Sequence, residues 1–322
     1  MHDLGPIVGR FRGQRVAVVM GGLSHERAVS LNTGAAIAGA LRDRGYDVVA
    51  IDAGRDVVDQ LRASGAAVVY NALHGSYGED GRFQGLLDWL GVPYTGEGLE
   101  ASHLAFQKAH AKALMRAAGV PVAADVVWTA AAFASASPAD LPFPLPAVVK
   151  PVAEGSSVGV SIVRDADDWA RAQGVIAGKG DVLIEAFVAG PELSVAILGD
   201  AVLGAVEVEA SRTFYDYDAK YAAGSGTQYH LPPRLPAAQI AAAEAAALAS
   251  HRLLGCHGAT RTDVILGPAG PVVLEVNTLP GMTATSLVPK IAAARGLSFG
   301  ELLERILDKA RCGLPQEVPH GA

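Results

Sequence analysis

The sequence predicts a multi-domain α/β protein whose first third is a Rossmann-like half. Three observations support this. At 322 residues the chain exceeds one typical domain and points to two or three. Its first third alternates continuous apolar runs with helical stretches, the pattern of a parallel sheet covered on both faces. Hydrophobic residues make up 50% and charged residues 18%, enough apolar material for several cores.

The elements follow in order. Arg15 to Met20 reads as a buried strand. Gly21-Gly22 turns the chain into a helix that runs to about Arg44. Tyr46–Ile51 and Ala66–Leu73 are the next two strands. A helix is expected from about Ala101 to Ala118, stopped by Gly119-Val120-Pro121. Residues 129–146, rich in Ala, Ser and Pro, read as a connection. Strands are expected at Ala147–Lys150, Val158–Val163 and Asp181–Val188. Leu193–Leu198 and Ala201–Ala210 form a hairpin around Gly199-Asp200. A polar, tyrosine-rich loop, 211–230, then leads to an alanine-rich helix from about Pro236 to Leu254. Two strands and two helices close the chain.

Composition excludes several classes. Lys plus Arg is 26 against 33 Asp plus Glu, a formal charge of −7 with no basic block, so a nucleic-acid surface is not expected. No window approaches the ~18 consecutive apolar residues of a membrane span. The opening residues lack a signal-peptide core, so a cytoplasmic location is expected. Cys256 and Cys312 are too few for a disulfide framework and cannot alone form a structural zinc site. They read as buried small hydrophobes.

The densest constellation is residues 261–277. Glu275 and Asn277 share one face of a strand, with Leu274 and Val276 toward the core. Arg261 and Asp263 have the same spacing on the preceding strand. The connection decides whether the two sets meet. A three-residue loop, Pro268-Ala269-Gly270, puts Asp263 opposite Glu275 and Arg261 opposite Asn277, whereas a two-residue loop puts them on opposite faces. Two facing carboxylates plus an amide oxygen suit Mg2+ held with substrate phosphates. A polar face with Arg261 paired to Asp263 is the other reading.

Four further motifs follow strands or loops. Lys150 with Pro151–Gly159 offers a cation, backbone N–H groups and hydroxyls to phosphate oxygens, although no G-x-x-x-x-G-K-[ST] order is present. An ordinary hairpin turn explains it equally well. Met20–Arg27 follows a strand and opens a helix without G-x-G-x-x-G, so dinucleotide binding is disfavoured and Glu26 reads as a helix-dipole partner. Leu73–Gly81 sits at the carboxyl end of a strand, where α/β sheets bind ligands. Phe214–Tyr221 reads as a lid or as locally packed tyrosines.

Taken in order, MGGLSHERAVSL, HGSYGEDGRFQG with YTG, VVKPVAEGSSVGVS, FYDYDAKY and RTDVILGPAGPVVLEVNTLPGMTATSLVP resemble the D-alanine–D-alanine ligase family of the ATP-grasp superfamily, over roughly residues 15–311. The resemblance implies three domains. These are an N-terminal Rossmann-like (preATP-grasp) domain over 1–99, a central ATP-grasp subdomain over 100–190 and a C-terminal one over 191–322. The ATP cleft lies between the last two.

It further implies that Lys108, Lys150 and Lys220 contact ATP phosphates, with Ser156 and Ser157 in the covering loop. Glu185, Ala186, Phe187 and Val188 line the adenine, and Glu192 the ribose. Asp263, Glu275 and Asn277 match the ligands of two Mg2+ ions, for which Mn2+ can substitute. Glu26 matches the group holding the first substrate's ammonium, with His74 near its carboxylate and Ser156 and Tyr221 as partners of Glu26. Arg261 and the Gly281 backbone match oxyanion stabilisers, and Ser286 and Leu287 the contacts to the second carboxylate.

The implied reaction joins two D-alanines through an acyl phosphate for peptidoglycan precursor synthesis. A ligase for another D-amino-acid pair is the alternative. A homodimer is the family's usual form. The chain departs from the family at Phe106-Gln107, where Met-Asp is common, at Ala28, commonly acidic, and at Ala186, often charged.

Overall fold

The structure is a computed structural model that describes residues 4–153, 155, 158–209 and 227–313. Ser156, Ser157, Lys220, Tyr221 and the 214–221 motif lie outside the described residues.

The first strand, β1 (Arg15–Gly21), lies between β2 (Asp47–Ala53) and β3 (Val68–Asn71), parallel to both. Its run of apolar residues is buried on both faces, as a central parallel strand requires. Helices α1 (Arg27–Asp43) and α2 (Val57–Ser64) connect the strands, and α3 (Arg82–Trp89) follows β3.

The expected helix over 101–118 is two helices, α4 (Leu99–Phe106) and α5 (Lys108–Ala117), broken at Gln107 (φ −85°, ψ 84°). The Lys108 N–H leaves the helical ladder and donates to the Val152 carbonyl at 3.1 Å.

The second sheet has the order β4-β7-β5-β6 and is antiparallel. Its strands are β4 (Asp125–Trp128), β5 (Ala147–Pro151), β6 (Ser161–Val163) and β7 (Val182–Ala186). Only three residues of the expected strand over 158–163 pair with β5. The segment read as a connection carries α6 (Ala130–Ser135). Phe133 on α6 is buried against Trp128 and against Trp169 of α7 (Ala166–Ile176).

The third sheet, β10-β9-β8-β11-β12, is antiparallel throughout. Its strands are β8 (Glu192–Leu198), β9 (Ala201–Glu209), β10 (Gln228–His230), β11 (Ala259–Gly267) and β12 (Gly270–Asn277). Helices α8 (Ala237–Leu253), α9 (Leu287–Ala294) and α10 (Phe299–Asp308) pack on it. Successive β8 residues serve two cores. Leu193, Val195 and Ile197 meet α5 and α8, while Ala196 and Leu198 share a core with β1 and α10. The first and third sheets are therefore joined by one apolar core. Among the described residues no helix is long and apolar enough to cross a membrane.

The β11–β12 connection differs from expectation in an instructive way. Gly267 pairs with Gly270, so the loop is the two residues Pro268-Ala269. That register alone would put Asp263 opposite Leu274. A β-bulge between Asp263 and Val264 absorbs one residue, and the ladder resumes with Asp263 opposite Glu275 and Arg261 opposite Asn277. Val273 and Val276 are buried, while Leu274, expected toward the core, is only half-buried as the bulged residue.

Candidate active site

Two clefts meet at the end of the third sheet facing the first. One, about 650 Å³, is lined by Glu26, His74, Lys108, Gly155, Arg261, Glu275, Asn277 and Gly281, among others. The other, about 1110 Å³, is lined by Thr33, Arg261, Gly281, Thr283, Ser286 and Leu287, among others. Arg261 and Gly281 line both.

In the first cleft Glu26 stands at the N-terminus of α1, where a carboxylate complements the helix dipole, and its side chain makes no capping hydrogen bond to the helix. Its carboxylate lies between two glycines. A Cβ on Gly75 would stand 2.5 Å from Glu26 Oε2, and one on Gly155 would stand 2.8 Å from it. Both loops can reach the carboxylate only without side chains. Gly75 has φ +69°, a second reason for glycine there. His74 is buried, with Nδ1 3.2 Å from Glu79 Oε1 and Nε2 3.1 Å from Thr33 Oγ1. Both ring nitrogens are committed, which fixes the imidazole.

The strand pair brings the expected ligand set together. Arg261 Nε donates to Asp263 Oδ1 and Nη2 to Oδ2, each at 2.9 Å. Ser194 Oγ donates to Oδ1 at 2.6 Å. Lys108 Nζ lies 3.5 Å from Glu275 Oε2. Asn277 Oδ1 accepts the Leu279 N–H at 3.0 Å. Arg261 does pair with Asp263, and the facing carboxylates are in register as well. The oxygen donors Asp263, Glu275 and Asn277 fit a hard divalent cation, since two facing carboxylates and an amide oxygen are the hard donor set such an ion takes.

Ser286 and Leu287 stand at the N-terminus of α9 as expected. Ser286 Oγ accepts the Thr283 N–H at 3.1 Å, the Ser286 N–H donates to the Thr283 carbonyl at 3.0 Å, and Leu287 buries its side chain where both residues line the second cleft.

Around the expected nucleotide residues, β7 ends at Ala186, and Phe187 donates its N–H to Pro146 O at 3.0 Å. Val188 packs at Gly267 of the β11–β12 turn, and Glu192 opens β8. Lys150 does not stand free for a phosphate; it pairs with buried Glu185, which also pairs with Lys112. Burial pushes the Glu185 carboxyl up, but the two lysine charges outweigh it and hold it below the usual glutamate range.

Lys112, Ser194, Glu79 and Thr33 were not found by sequence reasoning. Lys112 had a signal, since it lies one helical turn after Lys108. Ser194 is the one polar residue inside the apolar run Leu193–Leu198.

Comparison with known proteins decides the family. Residues 54–97 match the model of the D-ala D-ala ligase N-terminus, and residues 114–308 that of the C-terminus. The chain belongs to the D-alanine–D-alanine ligase family. A D-alanine–D-alanine ligase of Anaeromyxobacter sp. (strain Fw109-5) is 52% identical over 94% of this chain and 99% of its own length. One from Paramagnetospirillum magneticum is 46% identical over 93% and 99%. The crystal structure of the Bacillus anthracis ligase superposes with a TM-score of 0.81 at 34% identity, covering 92% of this chain and 97% of that one. With it the chain shares the ATP-grasp α/β architecture. A second Bacillus anthracis structure, complexed with ATP, gives 0.79 at 30% identity.

Proposed function

We propose that the protein ligates two D-alanines to D-alanyl-D-alanine, consuming ATP and releasing ADP and phosphate. The observation that carries this reading is the pair of clefts sharing Arg261 and Gly281, because a ligase must hold two small substrates with their reacting ends at one point. The alternative, another D-amino-acid pair, is not favoured, since relatives at about half identity over nearly the whole chain carry the D-alanine name.

In this reading Glu26 holds the ammonium of the first D-alanine, and fixed His74 lies beside its carboxylate. That carboxylate attacks the γ-phosphorus of ATP, forming an acyl phosphate and releasing ADP. Lys108 and Lys150 offset charge on the transferred group. Magnesium (or Mn2+), held by Asp263, Glu275 and Asn277, supplies Lewis-acid polarisation of the phosphates when bound. Ser286 and the Leu287 N–H hold the second carboxylate at the start of α9.

The ammonium of the second substrate gives up a proton to solvent, and the resulting amine attacks the acyl carbon, its second proton leaving with the departing phosphate. Arg261 and the Gly281 N–H stabilise the oxyanion, and phosphate departs with the C–O electron pair. Lys220, Tyr221, Ser156 and Ser157 belong to the same reading as the cover over this chemistry. The domain division 1–99, 100–190 and 191–322, a homodimer, a cytoplasmic location and a role in peptidoglycan precursor supply complete it. The test is product identification from ATP, Mg2+ and D-alanine, with L-alanine as control. Dipeptide from D-alanine alone is expected, and its absence overturns the proposal.

A further inference from the structure

A second cluster lies apart from both clefts, where the chain leaving the first sheet meets the third. The Glu97 carboxylate is fully buried. It accepts the backbone N–H groups of His257 at 2.5 Å and of Gly258 at 2.9 Å. A Cβ on Gly258 would stand 3.1 Å from Glu97 Oε1, so the turn is shaped around the carboxylate. His251, in the last turn of α8, is also fully buried. Its Nδ1 is 2.7 Å from Thr260 Oγ1, and its Nε2 has no hydrogen-bond partner. Cys256 follows α8, half-buried, with its thiol pushed up by burial. One ligand-capable atom from each of Glu97, His251 and Cys256 lies within 4.8 Å of the other two. His257 stands beside them, Nδ1 2.9 Å from Glu97 Oε2, with neither ring nitrogen in an aligned hydrogen bond.

Buried polar atoms without partners are rare in folded proteins, and an unseen ion is one of the standard reasons for them. Here two buried imidazole nitrogens, His251 Nε2 and His257 Nε2, have no hydrogen-bond partner near one carboxylate and one thiol, and His257 Nδ1 meets that carboxylate out of hydrogen-bond alignment. We infer that Glu97, His251 and Cys256 form a zinc-binding site that clasps the segment after the first sheet to the third sheet. The donor set selects the metal. Thiolate and imidazole suit Zn2+ and not Mg2+, so this is not an extension of the carboxylate pair at Asp263 and Glu275. The contact of His251 Nδ1 with Thr260 is the outer-shell bond that fixes a ligating histidine, leaving Nε2 for the metal. Binding releases the thiol proton to solvent, forming one S–Zn bond. The fourth position falls to water or to His257. The inference stands independently of the ligase reaction.

The full-length protein is titrated with Zn2+ in excess Mg2+ and its metal content read by elemental analysis after desalting. One zinc per chain is expected, with affinity falling at least about tenfold in Cys256→Ser and in His251→Gln. Circular dichroism checks that each variant folds. The wild-type Co2+ derivative should show a thiolate-to-metal charge-transfer band. Zinc uptake no higher than background overturns the site, as does uptake unchanged in both variants. Absence of that band in the wild-type protein overturns it whatever the variants do.

Discussion

Replacing Arg261 with methionine separates the ion pair seen in the structure from the oxyanion role proposed for the same side chain. The guanidinium makes a two-point bond to Asp263, and the side chains are only 15% and 7% exposed. Without it a nearly buried carboxylate keeps the Ser194 hydroxyl and faces Glu275 across the ladder. Breaking such a pair from one side costs about 3–5 kcal/mol, and methionine retains the apolar stem, so most of the loss is electrostatic. Removing an oxyanion donor lowers turnover by roughly 100-fold or more. Urea denaturation reads the first effect, and phosphate release at saturating D-alanine reads the second. The double variant Arg261→Met/Asp263→Asn should regain most of the stability, because the unpaired charge is gone, and remain inactive. Turnover of the single variant within about tenfold of wild type refutes the oxyanion role. A double variant no more stable than the single one refutes the ion-pair reasoning.

Three other outcomes are expected. Gly190→Ala places a Cβ 2.0 Å from the Leu266 carbonyl oxygen, backbone that cannot yield cheaply, and should destabilise by about 3 kcal/mol in urea titration; a loss under about 1 kcal/mol contradicts it. Gly155→Ala meets only the flexible end of Glu26, so the melting temperature should hold while KM for D-alanine rises; unchanged KM argues against Glu26 as the ammonium partner. Glu185 has its carboxyl pKa depressed in the fold, so its stabilisation is complete above the ordinary value of 4.5 and is lost as pH falls through the lower folded value, because the unfolded chain takes up the proton first. Glu185→Gln should therefore show a shallower acid limb in unfolding free energy against pH, and an unchanged limb removes Glu185 from that account.

What was legible in the sequence is what repeats along the chain. Strands β1, β8 and β9 announce themselves by buried runs, and Glu275 and Asn277 by their two-residue spacing on a strand. The alanine-rich helix ends one residue inside its expected limits at each end. What escaped is set by contacts between distant segments. Nothing in Phe106-Gln107-Lys108 marks a helix break, since the break is made by a carbonyl 44 residues on, at Val152. Strand β4 is a short edge strand of four residues with one exposed, too weak a pattern to stand out from a loop. The facing of Asp263 and Glu275 holds although the turn has two residues and not the expected three. A two-residue loop and a bulge give the same pairing as a three-residue loop, and no local signal separates them. Glu304 shows the limit most plainly: it is fully buried on α10 and paired to Arg12 and Arg44, nearly the whole chain away.

The lysines near Glu185 carry the charge reading further than their pairing suggests. Lys112 and Lys150 are both nearly buried and share one carboxylate, while Asp125, the next nearest acid acting on Lys112, is matched by Arg116. Counting Lys112, Lys150 and Arg116 against Glu185 and Asp125 gives 3 − 2 = +1 among these described groups. An excess positive charge in a dry site is costly; burial already pushes the Lys112 pKa down in answer to it, and a further anion would relieve it as well. A phosphate chain is such an anion. Lys112 sits deeper than Lys150, with 1% of its side chain exposed against 8%. A phosphate held at Lys150, as proposed above, would meet that excess of positive charge.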